Sequence, residues 1–381
     1  MRIMISCGEA SGDLYAGALA AALRARAPDV DIVGFGGRRL EAAGASLAGE
    51  FTGLTVTGLT EAIRVLPRSY AMYRRLVAAA RARRPDVFVA IDFPDFNFRL
   101  MAALRRLGVP VVYYVSPQLW AWRPGRMETM RRLVDRVLVI FPFEAPFYER
   151  AGIPVQLVGH PLVDLAQVSQ ARGAFLQDRG LRPDAPTVAL LPGSRPNELR
   201  RLAPVMAAAV ALVRTRVKEA QFVVARAPNL SDGLFAPLSG AGAVVVAGAT
   251  DNVLASSDVV ITASGTATVQ AALHERPMVV VYRVSPLTYR LGKPFLTVDT
   301  YAMPNLVAGR RIVPELIQDD CTPERIAGEA VALLTDTDRH LRTRAALREV
   351  RERLGGPGAS ERAADAILEV AARAPGGAGL A

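Results

Sequence analysis

Lysine and cysteine are scarce in this sequence, and no long apolar run occurs in it. Of the 46 basic residues only Lys218 and Lys293 are lysines, and all the others are arginines. The formal net charge of +10 therefore reflects an arginine bias, and neither a zinc-ligand spacing nor an RNA-binding aromatic motif accompanies it. We predict no nucleic-acid partner, although a basic surface favours polyanions or an anionic membrane face.

The shortage of cysteine and of long apolar runs favours a location in the cytoplasm. Cys7 and Cys321 lie far apart and form no CxxC or metal pattern, which favours a reducing environment. The apolar run in "MRIMISCGEASGD" is too short for a secretory signal, and no stretch reaches the ~18 apolar residues of a spanning helix. We predict a cytoplasmic protein whose membrane contact is peripheral.

The 381 residues exceed what one core usually organises, because domains average roughly 150 residues. Short continuous apolar runs such as "VFVAI", "VVYYV", "VALL" and "VVIT" are typical of strands covered on both faces of a parallel sheet. Predicted helices alternate with these runs, at 14–27, 96–107, 126–134, 198–217 and 266–274. The alternation predicts a doubly wound α/β fold with two Rossmann-like domains.

The series of strands has a gap between "VQLVGHPLVD" (155–164) and Thr187, and the change of domain falls in it. We predict an N-terminal Rossmann-like domain over residues 1–165 and a C-terminal one over 166–354. Helices at about 355–374 are expected to pack back on the first domain. Residues 375–381 are expected to form a flexible tail.

Two carboxylates follow the buried run "VFVAI", at Asp92 and Asp95 of "DFPDFN". Ligands of open α/β sheets bind at the carboxyl ends of strands, so this position favours a chemical role. Asp92 is a candidate base held at a strand end, and Asp95 a candidate cap for a helix starting near Phe96. A metal-binding pair is the competing interpretation, but the sequence offers no further ligands, and we predict no metal and no cofactor.

Two strand-to-helix turns are typical of a diphosphate site. In "LPGSRPNE" a strand ends on glycine, serine and arginine just before a helix, and "ASGTATVQAAL" repeats the design at 263–273. Helix amides, a hydroxyl and a guanidinium together suit a nucleotide diphosphate. Ordinary strand-to-helix turns are the alternative. "GEASGD" lacks the GK[ST] of a phosphate-binding P-loop, and its Glu9 and Asp13 also fit helix capping.

These motifs together resemble one family. "GEASGD", "IDFPDFN", "YYVSPQLWAW", "FPFE", "VGHPL", "LPGSR", "ASGTAT" and "MPNLVAGR" follow the order and spacing of lipid-A-disaccharide synthase from about residue 3 to about residue 320. The resemblance implies the GT-B fold, with two Rossmann-like domains whose parallel sheets face a central cleft. It also implies transfer of 2,3-diacylglucosamine from its UDP donor to 2,3-diacylglucosamine 1-phosphate, with inversion, to give a β-1,6 disaccharide.

The resemblance also carries over residues. It implies that Asp92 is the base and that Glu9, Ser11, Asp13 and Glu61 lie on the acceptor side. It places these residues around UDP: Ser194, Arg195, Glu198, Ser264, Gly265, Thr266, Gln270 and Asn305. Gln270 departs from the family, which usually has a glutamate there to accept from the ribose hydroxyls. His160 receives no proton-transfer role.

The resemblance implies peripheral contact with the cytoplasmic face of the inner membrane, and family members tend to be dimers, so a homodimer is a further expectation. For residues 60–84 we predict a lipid-facing arc at Val65, Leu66 and Met72 beside clustered arginines, interrupted by Pro67. An ordinary sheet-covering helix is the alternative. Two other functions stay open: another GT-B enzyme such as a UDP-N-acetylglucosamine 2-epimerase, and a non-catalytic nucleotide-sugar-binding protein.

Overall fold

The computed structural model describes residues 1–51, 59–120, 124–228, 230–285, 289–290 and 300–373, without the side chains of 59–65 and 124. The chain forms two compact units. Unit 1 comprises Met1–Pro161 and the stretch that begins at Leu354, and unit 2 comprises the described residues from Leu162 to Arg353. The predicted tail at 375–381 lies outside the described residues.

Helices connect the strands in both units. In chain order they are α1 (Ala10–Arg26), α2 (Arg38–Ala42), α3 (Leu59–Ala82), α4 (Pro94–Arg105), α5 (Met127–Leu133), α6 (Ala145–Arg150), α7 (Leu162–Leu165), α8 (Arg172–Gln177), α9 (Pro196–Arg216), α10 (Ala236–Gly240), α11 (Thr250–Ala255), α12 (Thr266–Leu273), α13 (Met303–Ala308), α14 (Pro323–Thr335), α15 (Thr337–Arg353) and α16 (Ala359–Ala372). Among the described residues, none of these helices is long and apolar enough to cross a bilayer.

Unit 1 is built on a seven-stranded parallel sheet. Its strands are β1 (Arg2–Cys7), β2 (Asp31–Gly36), β3 (Ser46–Glu50), β4 (Val87–Ile91), β5 (Val111–Tyr114), β6 (Arg136–Val139) and β7 (Val155–Leu157), in the order β3-β2-β1-β4-β5-β6-β7. Every residue of the central strands β4 and β5 is buried, as expected for a parallel sheet with helices on both faces. The order reverses at β1 and β4, where such sheets bind ligands.

Unit 2 repeats this architecture with six parallel strands. They are β8 (Thr187–Leu191), β9 (Gln221–Arg226), β10 (Val244–Ala247), β11 (Val259–Ala263), β12 (Met278–Tyr282) and β13 (Glu315–Ile317), in the order β10-β9-β8-β11-β12-β13. Strands β8 and β11 are the neighbours at the reversal and are fully buried. The turns after these two strands are the two glycine-containing turns predicted to bind diphosphate.

The C-terminal helix α16 packs on α1 of unit 1. Arg26 of α1 pairs with Asp365, and Arg136 at the start of β6 pairs with Glu369 at 2.9 Å. Arg362 donates to the main-chain oxygen of Val158 at 2.8 Å. These contacts hold the end of the chain against the helical face of the unit 1 sheet.

Helix α3 corrects two predictions. It runs through Pro67 without a break, and Pro67 is exposed, so water can hydrate the carbonyl that the proline leaves without a donor. Leu76 is fully buried, and Met72 is half-buried against the core, with its methyl group against Gly49. The face of α3 that covers the sheet therefore includes Met72, whereas Leu66 and Tyr70 are exposed.

Candidate active site

Asp92 begins a strained turn at the carboxyl end of β4. Asp92 has φ +45° and Phe93 has φ +49°, a left-handed conformation that two successive non-glycine residues rarely share. The main-chain oxygen of Asp92 accepts two hydrogen bonds at 2.7 Å, one from Nδ2 of Asn97 and one from the hydroxyl of Tyr113. Because such strain persists only where the surroundings enforce it, the turn is a built feature of the fold.

Buried polar groups from three elements enforce this turn. Ser6 of β1 donates to Oδ1 of Asn97 at 2.7 Å, which ties the central strand to α4. A Cβ atom on Gly8 would lie 2.2 Å from the Phe93 ring, so only glycine fits beside the turn. Burial raises the pKa of Tyr113, and the nearby Asp92 raises it further. The hydroxyl therefore stays protonated and can donate its hydrogen bond. No local pattern in the sequence singles out Ser6, Asn97 or Tyr113.

Asp95 does not cap α4, which corrects the prediction. The helix begins at Pro94, with Phe93 in the N-cap position, so Asp95 lies inside the first turn. Its exposed carboxylate pairs with Arg126, which follows β5. The two aspartates therefore differ: Asp92 lies in the strained turn, and Asp95 joins a surface ion pair.

The acceptor-side residues predicted near "GEASGD" separate into two kinds. Glu9 is the N-cap residue of α1 and Ser11 lies in its first turn, both partly exposed at the end of β1. Asp13 is buried, and its carboxylate accepts from the main-chain N–H groups of Gly37, Arg39 and Leu40 at 2.7, 3.0 and 3.2 Å. Asp13 caps α2 and is removed from the acceptor side. The side chains of Glu61 and Val65 lie outside the described residues.

Glu198 shapes the turn after β8. Gly193 has φ +115°, and a Cβ atom there would lie 2.5 Å from Oε2 of Glu198. That carboxylate accepts from the main-chain N–H of Ser194 at 3.3 Å and pairs with Arg195 at 3.3 Å. The arrangement resembles a capping box, in which an acidic residue of the first helical turn reaches back to the preceding loop. Glu198 therefore orients Ser194 and Arg195, and its direct contact with UDP stays a prediction.

Tyr282 lies close to the same turn from the end of β12. Burial raises the pKa of its hydroxyl, and the neighbouring Glu198 carboxylate adds to the increase. The charge of Arg195 lowers this pKa, but burial and Glu198 outweigh it, so the hydroxyl stays protonated. An apolar run that ends on tyrosine was the only signal in the sequence.

The turn after β11 opens α12. Gly265 is the N-cap residue with φ +138°, a conformation that only glycine adopts without strain. The Ser264 hydroxyl donates to the main-chain oxygen of Tyr301 at 3.3 Å, and Thr268 donates to that of Gly265 at 2.7 Å. Thr266, the first residue of the helix, is partly exposed. The turn thus presents a helix N-terminus without side-chain bulk at its N-cap.

Gln270 belongs to a polar cluster on the same helix. Its Nε2 lies 3.5 Å from Oδ1 of Asp251 on α11, and the same oxygen is 2.9 Å from Nε2 of His274. An amide that donates through Nε2 toward Asp251 keeps its Oε1 as an acceptor on the other side. One acceptor thus stands where the family usually has a carboxylate.

Asn305 uses its whole side-chain amide within unit 2. Its Nδ2 donates to the main-chain oxygen of Val313 and to Glu315, and its Oδ1 accepts from Ile312 and Val313, all within 3.0 Å. The Glu315 carboxylate also accepts from the N–H groups of Tyr301 and Ala302. The predicted direct bond to UDP is therefore replaced by a structural role: the pair fixes the loop that receives the Ser264 hydroxyl.

The chain matches the family model described as lipid-A-disaccharide synthetase over residues 3–370. It is 45% identical over 372 residues to the lipid-A-disaccharide synthase of Myxococcus xanthus, covering 97% of each chain. Its fold is similar to UDP-GlcNAc 2-epimerase from Neisseria meningitidis bound to UDP-GlcNAc, at 12% identity, TM-score 0.67 and coverage of 97% and 100%. It is also similar to CalG4, the calicheamicin glycosyltransferase, at 19% identity, TM-score 0.63 and coverage of 98% and 99%.

The two structural likenesses show the fold alone, and they confirm the predicted GT-B fold class, with one Rossmann-like parallel sheet in each unit. The family match and the relative span nearly the whole chain and include every motif quoted above. The resemblance read from the sequence is thereby confirmed, and the chain belongs to the lipid-A-disaccharide synthase family.

Proposed function

We propose that the chain transfers 2,3-diacylglucosamine from UDP-2,3-diacylglucosamine to 2,3-diacylglucosamine 1-phosphate, forming the β-1,6 disaccharide and UDP. The reaction class, glycosyl transfer in lipid A biosynthesis, follows from the family. The observation that supports the site assignment most strongly is the strained Asp92 turn, held by Asn97 and Tyr113 at the switch point of the unit 1 sheet.

In this proposal Asp92 is the base. Its carboxylate takes the proton of the acceptor 6-hydroxyl while that oxygen bonds to the anomeric carbon of the donor, and the bond to the UDP oxygen breaks with its electron pair. A base is effective when it is held within hydrogen-bond reach of its proton, and a rigid strand end provides such a position. Glu9 and Ser11 lie at the end of β1, next to β4 in the sheet, which supports their placement on the acceptor side.

Unit 2 would hold the donor. Helix N-termini and a guanidinium stabilise the negative charge that develops on a leaving diphosphate. Ser194 and Arg195 would supply these groups after β8, and Ser264, Gly265 and Thr266 after β11. Gln270 would accept a hydrogen bond from a ribose hydroxyl through its Oε1. Glu198 and Asn305 would act by holding these turns in place.

The direct test measures UDP release from purified protein given donor alone, acceptor alone, and both. We expect UDP only with both substrates, together with a lipid product of the summed mass. Release or interconversion with donor alone would indicate an epimerase-like enzyme. Binding of the donor without release under any condition would indicate a nucleotide-sugar-binding protein.

Peripheral binding to the inner membrane is the second part of the proposal, because both substrates carry acyl chains. On α3, Leu66 and Tyr70 are exposed by 51% and 61%, an unusual exposure for large apolar side chains on one helix. Arg68, Arg74 and Arg75 are exposed on the same helix. Exposed apolar side chains flanked by arginines are typical of helices that lie at an anionic interface.

Replacing Leu66 and Tyr70 together with serine is expected to release the protein from vesicles that contain anionic phospholipid and to raise KM for micellar acceptor. UDP affinity should stay unchanged. Sedimentation with vesicles checks this prediction. The matched control is Leu341→Ser, since Leu341 on α15 is similarly exposed at 56% but belongs to unit 2.

Met72→Ser should behave differently, because its side chain packs against Gly49 and the core. We expect it to lower the free energy of unfolding, so it is left out of the membrane variant. If the Leu66/Tyr70 variant sediments with vesicles as the parent does, the membrane contact must lie elsewhere.

A further inference from the structure

Glu144 is a buried carboxyl group that the proposed mechanism does not use. It precedes α6 and is only 2% exposed. One carboxylate oxygen accepts from the Ser116 hydroxyl at 2.9 Å and from Nε1 of Trp120 at 3.3 Å, and the other accepts from the main-chain N–H of Phe141 at 3.2 Å. Three donors converge on one carboxylate, and two of them come from the same short segment.

That segment, residues 115–120, is here called the Trp120 loop. It starts with Val115 at φ +58°, an outlier for a β-branched residue. The main-chain N–H of Val115 donates to Leu138 at 3.1 Å, and the Tyr148 hydroxyl donates to Pro117 at 3.4 Å. Leu119 is buried in the core of unit 1. With the bonds of Ser116 and Trp120 to Glu144, the loop is held at five of its residues, and the surroundings maintain its strained start.

The Trp120 loop starts beside the proposed base. Tyr114, the last residue of β5, is the register partner of Ile91, the residue before Asp92. Tyr113 of β5 donates its hydroxyl hydrogen bond to Asp92 itself. Only Tyr114 separates the loop from Tyr113. A shift of the loop would therefore also move the residue that bonds to the Asp92 turn.

The far end of the loop is aromatic. The Trp120 ring is half-buried and packs edge-on to Phe143 with ring centroids 4.9 Å apart, and Phe143 stacks on Phe141 at 5.5 Å. Large aromatic rings with little conformational freedom suit the apolar face of a sugar or the start of an acyl chain. Phe141 and Phe143 directly precede Glu144 in sequence, so one short stretch supplies both the rings and the carboxylate.

We infer that Glu144 is a positioning residue for the transfer reaction, which holds the Trp120 loop so that Trp120 contacts the glucosamine portion of the acylated acceptor beside Asp92. The inference rests on the proposed function of unit 1. Glu144 touches neither substrate, and it acts through Trp120.

The chemistry of the side chain explains why a carboxylate is needed. Burial raises the pKa of Glu144 to about 7, so above that pH the group is a carboxylate. The Ser116 hydroxyl can donate or accept, whereas the indole N–H of Trp120 and the main-chain N–H of Phe141 can only donate. A glutamine places its NH₂ group against one of these two in either orientation of the amide. A buried donor left without an acceptor is costly, so the loop is expected to shift in Glu144→Gln.

Removing the indole N–H should relieve this conflict. In a Trp120→Phe background, glutamine at 144 can turn its oxygen to Phe141 and its NH₂ group to the Ser116 hydroxyl, which also accepts. The Phe141 N–H and the Ser116 hydroxyl then both have a partner. The double variant therefore tests whether the effect of Glu144 passes through Trp120.

The experiment measures kcat and KM for acceptor, UDP affinity and thermal stability in the parent, Glu144→Gln, Trp120→Phe and the double variant. We expect Glu144→Gln to lower kcat/KM for acceptor by ~10–100-fold, the usual effect of misplacing a binding group by about 1 Å. UDP affinity should not change. The double variant should match Trp120→Phe.

Parent-like kinetics of Glu144→Gln, or effects of the two substitutions that multiply, would overturn the inference. If Glu144→Gln does not fold, the comparison of the double variant with Trp120→Phe is decisive. A kcat/KM for acceptor that is ten-fold or more lower in the double variant contradicts a role through Trp120. The proposed function fails separately, because it requires the parent to release UDP with both substrates.

Discussion

Asp92→Asn is expected to slow sugar transfer by ~10²–10⁴-fold, the usual contribution of a positioned proton acceptor. Asparagine cannot take the proton, but it tolerates a positive φ better than most residues, so the turn at φ +45° should persist. The hydrogen bonds from Asn97 and Tyr113 go to the main-chain oxygen and do not depend on the side chain. The measurement is the initial rate with both substrates saturating, beside UDP affinity, which should be unchanged.

Asp95→Asn is the matched control for this variant. Asp95 lies three residues away, and its carboxylate pairs with Arg126 at the surface, where an ion pair contributes little. Its activity should stay within a few-fold of the parent. Near-normal turnover of Asp92→Asn would remove Asp92 from the mechanism. Equal losses in both variants, with activity that falls on adding EDTA and returns with Mg²⁺, would instead favour the carboxylate pair as a metal site.

Arg195→Ala is expected to lower kcat by ~10²–10³-fold and to weaken UDP binding, because a preorganised donor strengthens its bond as charge develops on the leaving diphosphate. Arg195→Lys keeps the charge but not the forked geometry, and should recover part of the loss. Arg200→Ala is the surface control. Arg200 is exposed on α9, the helix that begins directly after Arg195, and it donates to Asn197. Rate and UDP affinity equal to the parent would contradict the placement of Arg195.

Glu198 complicates this experiment, because Arg195→Ala leaves its carboxylate without that ion-pair partner. Its carboxylate charge, no longer neutralised by Arg195, would then repel the diphosphate by itself. Repeating Arg195→Ala in a Glu198→Gln background separates the two effects, since glutamine can still accept from the Ser194 N–H. We expect the double variant to stay slow. Recovery to the rate of Glu198→Gln would mean that Arg195 only neutralises its neighbour.

The repeating elements of the fold could be predicted from the sequence because they depend on local patterns. The helices predicted at 96–107 and 198–217 are observed at Pro94–Arg105 and Pro196–Arg216, each starting at a proline two residues earlier. Proline is favoured in the first helical turn, and this signal was available. The edge strands β3 and β13 were missed because "SLAGE" and "ELI" lack the continuous apolar run of buried strands.

The roles of individual polar residues were less predictable. Asp13 bonds to residues 24–27 positions away, and Ser6 bonds to Asn97 across 91 positions. Such partners depend on how the strands are ordered in the sheet, which no local pattern states. Motif spacing therefore located the turns at the strand ends, whereas the structure gives the hydrogen-bond partners of the residues in them, such as Glu198 and Asn305.

The anomeric configuration of the product tests the central claim most directly. Direct attack by an acceptor hydroxyl that Asp92 deprotonates inverts the anomeric carbon, so an α-linked UDP donor must give a β-linked disaccharide. The coupling constant of the new anomeric proton, measured by NMR on the purified product, distinguishes the two configurations. We predict the β linkage. An α linkage would require a second displacement through another nucleophile and would contradict the assignment of Asp92 as the base of a single-step transfer.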